Sequence, residues 1–374
     1  MTNRERAMNI LHYKSVDRFP AVHFGYWREL LAEWAALGKI PVELSKGWSD
    51  GNPVDKELDK LIGWDFDWTP RYSPKNSLFP AFEEKVLEVF PDGTKRTLNG
   101  DGLIQRISPG VVSIPAEDDY LLKDREAFET LYKPKMQFSP ERINYEYLKT
   151  FNTEVYDKLD YPVGLGVGST IGTIRSMESV VGMSYLLYDE DEELFGDIID
   201  TFAELQYQCT KAVLETGAHF DFAHYWEDIC FNSGPLLNPK IIEKYCAKHY
   251  AKRNELLHSY GIDIISLDCD GVTRDLQQLW LDNGVNVLFP IEVGTWGDQF
   301  GPARRKLGKG QLGVGGFNKL ALREDKAAVD KELERIRPLA MEGGYLPCPD
   351  HRLMPGTKFE LVQYYAEEIK KLKI

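Results

Sequence analysis

The chain has 374 residues, 43% hydrophobic, 12% aromatic and 28% charged, which is the composition of a folded globular protein and excludes a disordered or fibrous one. Its 45 Lys and Arg against 59 Asp and Glu leave a formal net charge of −14, and no stretch gathers basic residues, so a nucleic-acid partner is not expected. The length suits either about two domains or one elaborated α/β barrel.

In chain order, Asn3 offers an N-cap for a first helix that ends before Asp17-Arg18-Phe19-Pro20, and a strand follows over 19–24. Residues 26–37 read as an aromatic-rich helix, and 26–130 as a whole reads as an N-terminal decoration. Within it, 82–90 alternates with period two, Pro91-Asp92-Gly93 is a turn, and 94–98 returns as a hairpin. From about residue 140 short apolar strands alternate with long amphipathic helices. Strands are expected at 162–167, 220–226, 262–267, 285–291, 311–314 and 344–346, and helices at 174–181, 183–202 running on toward 215, 239–260, 273–283, 325–341 and 358–371. Repeated strand–helix units mean parallel strands with right-handed crossovers. With the strand near Phe19 and one more that has no clear signal, they predict a single-domain (β/α)8 TIM barrel over 1–374. No GxGxxG or phosphate-binding loop is present.

The longest apolar runs fall short of the ~20 residues of a membrane span, and the first six residues lead into no apolar segment, so a cytoplasmic protein without membrane contact is expected. Cys209, Cys230, Cys246, Cys269 and Cys348 include no CxxC pair and are expected to be reduced thiols.

In such a barrel the residues just past each strand's C-terminal end meet at the active site. Those positions hold Glu227 and Asp228, then Asp268-Cys269-Asp270-Gly271, then Glu292, then Cys348-Pro349-Asp350-His351. Any one acid there is adequately explained as a helix cap. As a set, Glu227, Asp268, Asp270, Glu292 and His351 would be costly to bury without a cation, and a divalent metal such as Zn²⁺ is the simplest compensation. A metal-free acid/base cluster is the alternative. Cys269 points opposite to its Asp neighbours, and neither it nor Cys348 is a first-choice ligand. The glycine run 164–168 before Ser169 and Thr170 is either an anion site at a helix start or a tight turn. His23, Tyr26, Trp27, Tyr225 and Trp226 flank strand ends and could either wall a flat substrate or pack the core.

Several segments resemble the uroporphyrinogen decarboxylase superfamily, in the branch that contains cobalamin-dependent methyltransferases. They are Asp17-Arg18-Phe19-Pro20, Met177-Glu178-Ser179-Val180-Val181-Gly182-Met183, Trp226-Glu227-Asp228, Asp268-Cys269-Asp270-Gly271, Gly315-Gly316-Phe317-Asn318-Lys319, and Gly343-Gly344-Tyr345 through Asp350-His351. The resemblance implies a (β/α)8 barrel with zinc at its mouth, held in that family by a His-x-Cys pair and a late Cys. Here Asp268 and Asp270 stand where that pair would be, and His351 near the late Cys, an oxygen-rich set better suited to polarising an oxygen than to activating a thiol. The stretch 21–28 keeps one arginine, so a polyanionic tetrapyrrole substrate is not expected.

The function implied is the methyltransferase component of a corrinoid-dependent O-demethylase. It would take methyl from a methoxylated aromatic to cob(I)alamin on a separate corrinoid protein, since the chain shows no second domain to carry the corrinoid. Glu227, Asp270 and His351 would act at the ether oxygen, Asp268 and Glu292 would be further metal ligands, and the five aromatics would hold the ring. A homodimer is the oligomeric state to test. Two other readings stand beside it: a decarboxylase or lyase of this fold acting on a small acid, and a non-catalytic ligand-binding barrel.

Overall fold

The computed structural model describes residues 1–109, 115–297 and 300–373. The first helix, Asn3–Leu11, is closed by a capping box in which Thr2 and Glu5 satisfy each other's backbone N–H groups. Strand β1 (Val22–His23) pairs in parallel with β2 (Phe66–Asp67), and two residues later β3 (Pro70–Tyr72) joins the main sheet. This is the strand without a clear sequence signal: two short pieces around Trp68 are too brief for periodicity to show.

Strands β4 (Lys85–Val89), β5 (Lys95–Leu98), β6 (Leu103–Ile107) and β7 (Ala116–Tyr120) form a separate antiparallel sheet, so the expected hairpin is the first half of a four-stranded meander. The larger sheet adds β8 (Gly164–Gly168) and β9 (Phe222–Trp226). A small antiparallel pair, β10 (Cys230–Phe231) and β11 (Gly234–Pro235), precedes β12 (Ile265–Asp268), β13 (Val287–Ile291), β14 (Leu312–Phe317) and β15 (Tyr345–Pro349). Its seven strands run β15-β14-β13-β12-β9-β8-β3, all parallel. At the far edge β1 lies beside β15, and Tyr26 bridges Leu353. The arrangement is a mixed α/β fold compatible with a TIM-like barrel, without a closed ladder among the described residues.

The long helix expected from 183 divides. Gly172–Tyr185 runs into a π turn, and a new helix, Glu192–Leu214, starts where the Asp191 carboxylate accepts from Leu194 N. The helix expected over 273–283 is confined to Gln277–Asp282. Trp68 ties the edge to the centre, stacking on Phe222 at 4.2 Å and donating to Ser266 Oγ at 3.2 Å. No described helix is long and apolar enough to cross a membrane.

Candidate active site

All the strand-end residues singled out above lie at one end of the parallel sheet, but their roles separate sharply. Glu227 is fully buried and already partnered. Its carboxylate accepts from Ser169 Oγ (2.9 Å), the backbone N–H groups of Thr170 (2.6 Å), Ile171 (3.0 Å) and Gly172 (2.9 Å), and Tyr250 OH (2.6 Å). The helix Gly172–Tyr185 has no side-chain cap of its own, so Glu227 supplies the negative charge that its open N–H groups require. A Cβ at residue 172 would collide with the Glu227 carbonyl, which is why glycine stands there. The anion site of the glycine run is thus filled from within the chain, and Glu227, read from sequence as catalytic residue and ligand, is a structural anchor. Five donors leave its oxygens no capacity for a metal.

Its neighbour Asp228 lies among the other strand-end acids instead. Metal-capable atoms of Asp228, Asp268 and Asp270 lie within 4.8 Å of one another, and so do those of Asp270, Glu292 and His351. Asp270 joins the two groups. Its Oδ2 lies 3.1 Å from His351 Nε2, while its Oδ1 is buried with no hydrogen-bond partner. The turn that presents it depends on Gly271 at φ +96°, where a Cβ would press on the Cys230 backbone. Asp270 N donates to Asp228 Oδ1 (3.0 Å), and Gly271 N donates to Glu292 (2.8 Å). Asp228 itself sits at φ +47°, a strained conformation for a residue with a side chain. Asp350 is fully buried and fastens the loops, accepting from Val293 N (2.8 Å), Gly294 N (2.6 Å) and Lys319 N (2.9 Å).

The electrostatics are those of crowded, desolvated acids. Burial, then the charge of Asp270, pushes Asp228 up to about 6 and Glu292 up to about 7. Asp268 is raised well above its ordinary value by burial and by Asp228 and Asp270. Asp270 goes the other way: burial opposes ionisation, but the His351 hydrogen bond and the charges of His351, Lys319 and Arg352 outweigh it.

Three basic residues with no role assigned from sequence surround the cluster. Arg175 lies 3.7 Å from Asp228 and over the Trp226 ring, and Arg352 is held by Asp50 at 2.7 Å. Lys319 is 5% exposed and its ammonium makes no hydrogen bond or ion pair with described residues. Burial lowers its pKa against the pull of Asp350, Glu292 and Asp270. The Gly315-Gly316-Phe317-Asn318-Lys319 motif was the available signal for it.

The aromatics also divide. Trp226, 37% exposed, lines a pocket of about 240 Å³ with Pro70, Ser73, Gly166, Thr173 and His224. Tyr225 faces outward instead, its OH donating to Asn254 at 2.8 Å under the Arg253 guanidinium. Alternation along β9 requires this, since its neighbours 224 and 226 both line the pocket. Tyr26 is buried among His23, Trp34 and Trp48. His23 belongs to a buried network with Asp55, Asp59 and Asp67, and Trp27 begins the helix Arg28–Ala36. None of Tyr225, Tyr26, His23 or Trp27 lines that pocket. His224, the pocket's imidazole, was not separated from its neighbours by sequence, and burial depresses its pKa to about 4.

No family model and no curated protein matches this chain. Among solved structures, one described as a methyltransferase from Methanosarcina mazei superposes with a TM-score of 0.60 at 17% identity, covering 99% of this chain and 98% of that one. An A. niger ochratoxinase covers 75% of this chain and 76% of its own at 12% identity, with a TM-score of only 0.30. At such identity, the first likeness establishes that the two chains share a fold over nearly their whole lengths.

Proposed function

We propose that this chain is the methyltransferase component of a corrinoid-dependent O-demethylase, built on a (β/α)8 barrel whose β1 completes the ring. It takes the methyl group of a methoxylated aromatic to cob(I)alamin carried by a separate corrinoid protein. The observation that carries the reading is Asp270: a carboxylate bonded to His351 on one side and left with a buried, unpartnered oxygen on the other, in a ring of acids that approaches, through Asp268 and His224, a pocket lined by Trp226. The shared fold with a methyltransferase supports it.

The residues fit a divalent cation. An orphaned buried oxygen and carboxyls held above their normal range are what an acid cluster shows when its counter-charge is missing. Asp270, Glu292 and His351 would hold the ion, with Asp228 and Asp268 on the far side of Asp270. Two carboxylates and an imidazole suit Zn²⁺ with an open position. Bound there, the ion supplies Lewis acidity toward an ether oxygen.

The remaining work belongs to the chain. Asp350 and the Gly271 turn hold the ligand loops in register, and Phe24 packs edge-on against His351 at 5.3 Å, fixing the imidazole plane. Trp226 gives the substrate ring a flat wall, so the methyl carbon can be held in line with its acceptor. The test is anaerobic spectrophotometry of cob(I)alamin with the protein and a panel of methoxylated aromatics. Donor-dependent formation of methylcob(III)alamin is the expected result, and no methylation even with a corrinoid protein present overturns the reading.

One observation favours a second reading. Lys319 already places a buried cation among these acids, as a metal-free lyase acting on a small carboxylic acid would need. Metal analysis of the purified protein decides between them: about one equivalent of bound divalent ion supports the methyltransferase, and none supports the lyase.

A further inference from the structure

His224 carries more information than its place in the pocket wall. Its Nδ1 lies 3.0 Å from Ser266 Oγ, and Ser266 Oγ accepts from Trp68 Nε1 at 3.2 Å. An indole N–H can only donate and takes one of the two lone pairs of Ser266 Oγ; the hydroxyl's own proton has no other acceptor among the described residues than His224 Nδ1. The network therefore assigns the imidazole proton to Nε2. That nitrogen has no hydrogen-bond partner, since Asp268 Oδ2 is 3.9 Å away. A ring that is only 8% exposed, fixed from behind by two buried residues, thus presents one uncommitted N–H between the pocket and the carboxylate cluster.

We propose that His224 is the oxygen-recognition residue of this site, donating from Nε2 to the phenolate oxygen released when the methyl group leaves. The assignment rests on the methyl-transfer reading and narrows its substrates to aryl methyl ethers. In that step the methyl carbon–oxygen bond breaks with its electron pair passing to oxygen. The electron pair of cob(I)alamin forms the cobalt–carbon bond, and the proton stays on His224. A thioether sulfur accepts hydrogen bonds only weakly and a quaternary ammonium has no lone pair, so neither gains from such a donor. An aryl oxygen gains most once it becomes an anion, where a charge-assisted hydrogen bond is strongest.

The experiment measures binding of 4-nitrophenolate, followed by its absorption, against its uncharged isostere 4-nitrotoluene. The wild-type protein is expected to prefer the phenolate. His224→Phe, which keeps a ring but removes the donor, should weaken phenolate binding about tenfold to a hundredfold and leave 4-nitrotoluene unchanged. His224→Gln, whose amide nitrogen reaches the position of Nε2, should recover most of the loss. Ser266→Ala, which deletes the oxygen that orients the ring and also accepts from Trp68, should weaken the phenolate several-fold and leave 4-nitrotoluene unchanged, and decides the matter should His224→Phe not fold. Phenolate affinity unchanged in the donor-removing and Ser266 variants, or no phenolate binding by the wild type, overturns the assignment. Methylation of cob(I)alamin is measured on the same preparations. Its absence beside intact, His224-dependent phenolate binding would overturn the proposed function and leave the oxygen-recognition role standing.

Discussion

Two acid clusters in this molecule look alike in composition and differ in everything that matters for function. Near the N-terminus, His23, Asp55, Asp59 and Asp67 place their donor atoms within 4.8 Å of one another, as the strand-end acids do, and all four are buried. Yet every carboxylate there is answered from within the chain. Asp55 accepts from Trp48 Nε1 and Gly51 N, Asp59 from His23 and Lys56, and Asp67 from Lys56, Arg71 and Thr69. Burial opposes ionisation of Asp59 and Asp67, but these partners overcome it and both pKa values fall; only Asp55, which has no cationic hydrogen-bond partner, is raised, chiefly by burial. At the strand ends, Asp228, Asp268 and Glu292 are raised, and Asp270 keeps a buried oxygen with no partner. Proximity of acids does not mark a ligand site. A buried carboxylate oxygen left without a partner, as in Asp270, is the better mark.

The contrast predicts opposite responses to substitution. Asp67→Ala should destabilise the fold by about 3 kcal/mol, because Arg71 would be left as a buried charge without its acid while Lys56 keeps Asp59. Asp270→Asn should change denaturant stability by less than about 1 kcal/mol while abolishing divalent-ion binding, measured by calorimetry and metal analysis. Comparable stability losses in the two variants would erase the distinction.

Glu227→Gln tests the same contrast one residue away from the site. The amide replaces an acceptor with a donor facing backbone N–H groups, and urea unfolding should show a loss of about 2–4 kcal/mol. The folded fraction should keep its metal, and loss of metal with unchanged stability would return Glu227 to the ligand set.

A ligand that binds only the folded state stabilises it by mass action. Zn²⁺ at a hundredfold excess over its dissociation constant should add about 2.7 kcal/mol to the wild type and nothing to Asp270→Asn. The smallest expected effect is the pH dependence of the metal-free protein. The carboxyls of Asp228 and Glu292 bind protons more tightly folded than unfolded, so their stabilisation is complete below about pH 4 and is lost as pH rises through about 6 and 7. Stability should fall over that window and recover with bound cation, whose affinity rises as the same groups deprotonate. A flat profile would mean that these acids are already neutralised as the N-terminal set is.

Some of this was legible in the chain before folding. Alternating apolar strands and amphipathic helices announce a parallel sheet, and the rule that strand ends carry the site selects Asp268, Asp270, Glu292 and His351. The choice between Glu227 and Asp228 was not legible, because adjacent residues leave a strand end in opposite directions and nothing local says which enters the site. The need of the helix Gly172–Tyr185 for an anion was a usable clue, but only the fold brings residue 227 to residues 169–172, more than fifty positions away. Tyr225 and Tyr26 could not be sorted from Trp226 by type, since an aromatic serves equally as wall or as packing.

Residue types and their periodicity therefore determined the alternating strands and helices of the parallel sheet and the inventory of acids at its strand ends, since both are read within a few residues along the chain. Tertiary structure alone decided which acids are spoken for and that His224 lies between Ser266 and Asp268. Hydrogen-bond partners and counter-charges come from other strands and helices, and a carboxylate's chemistry is set by what remains unpaired once they have arrived.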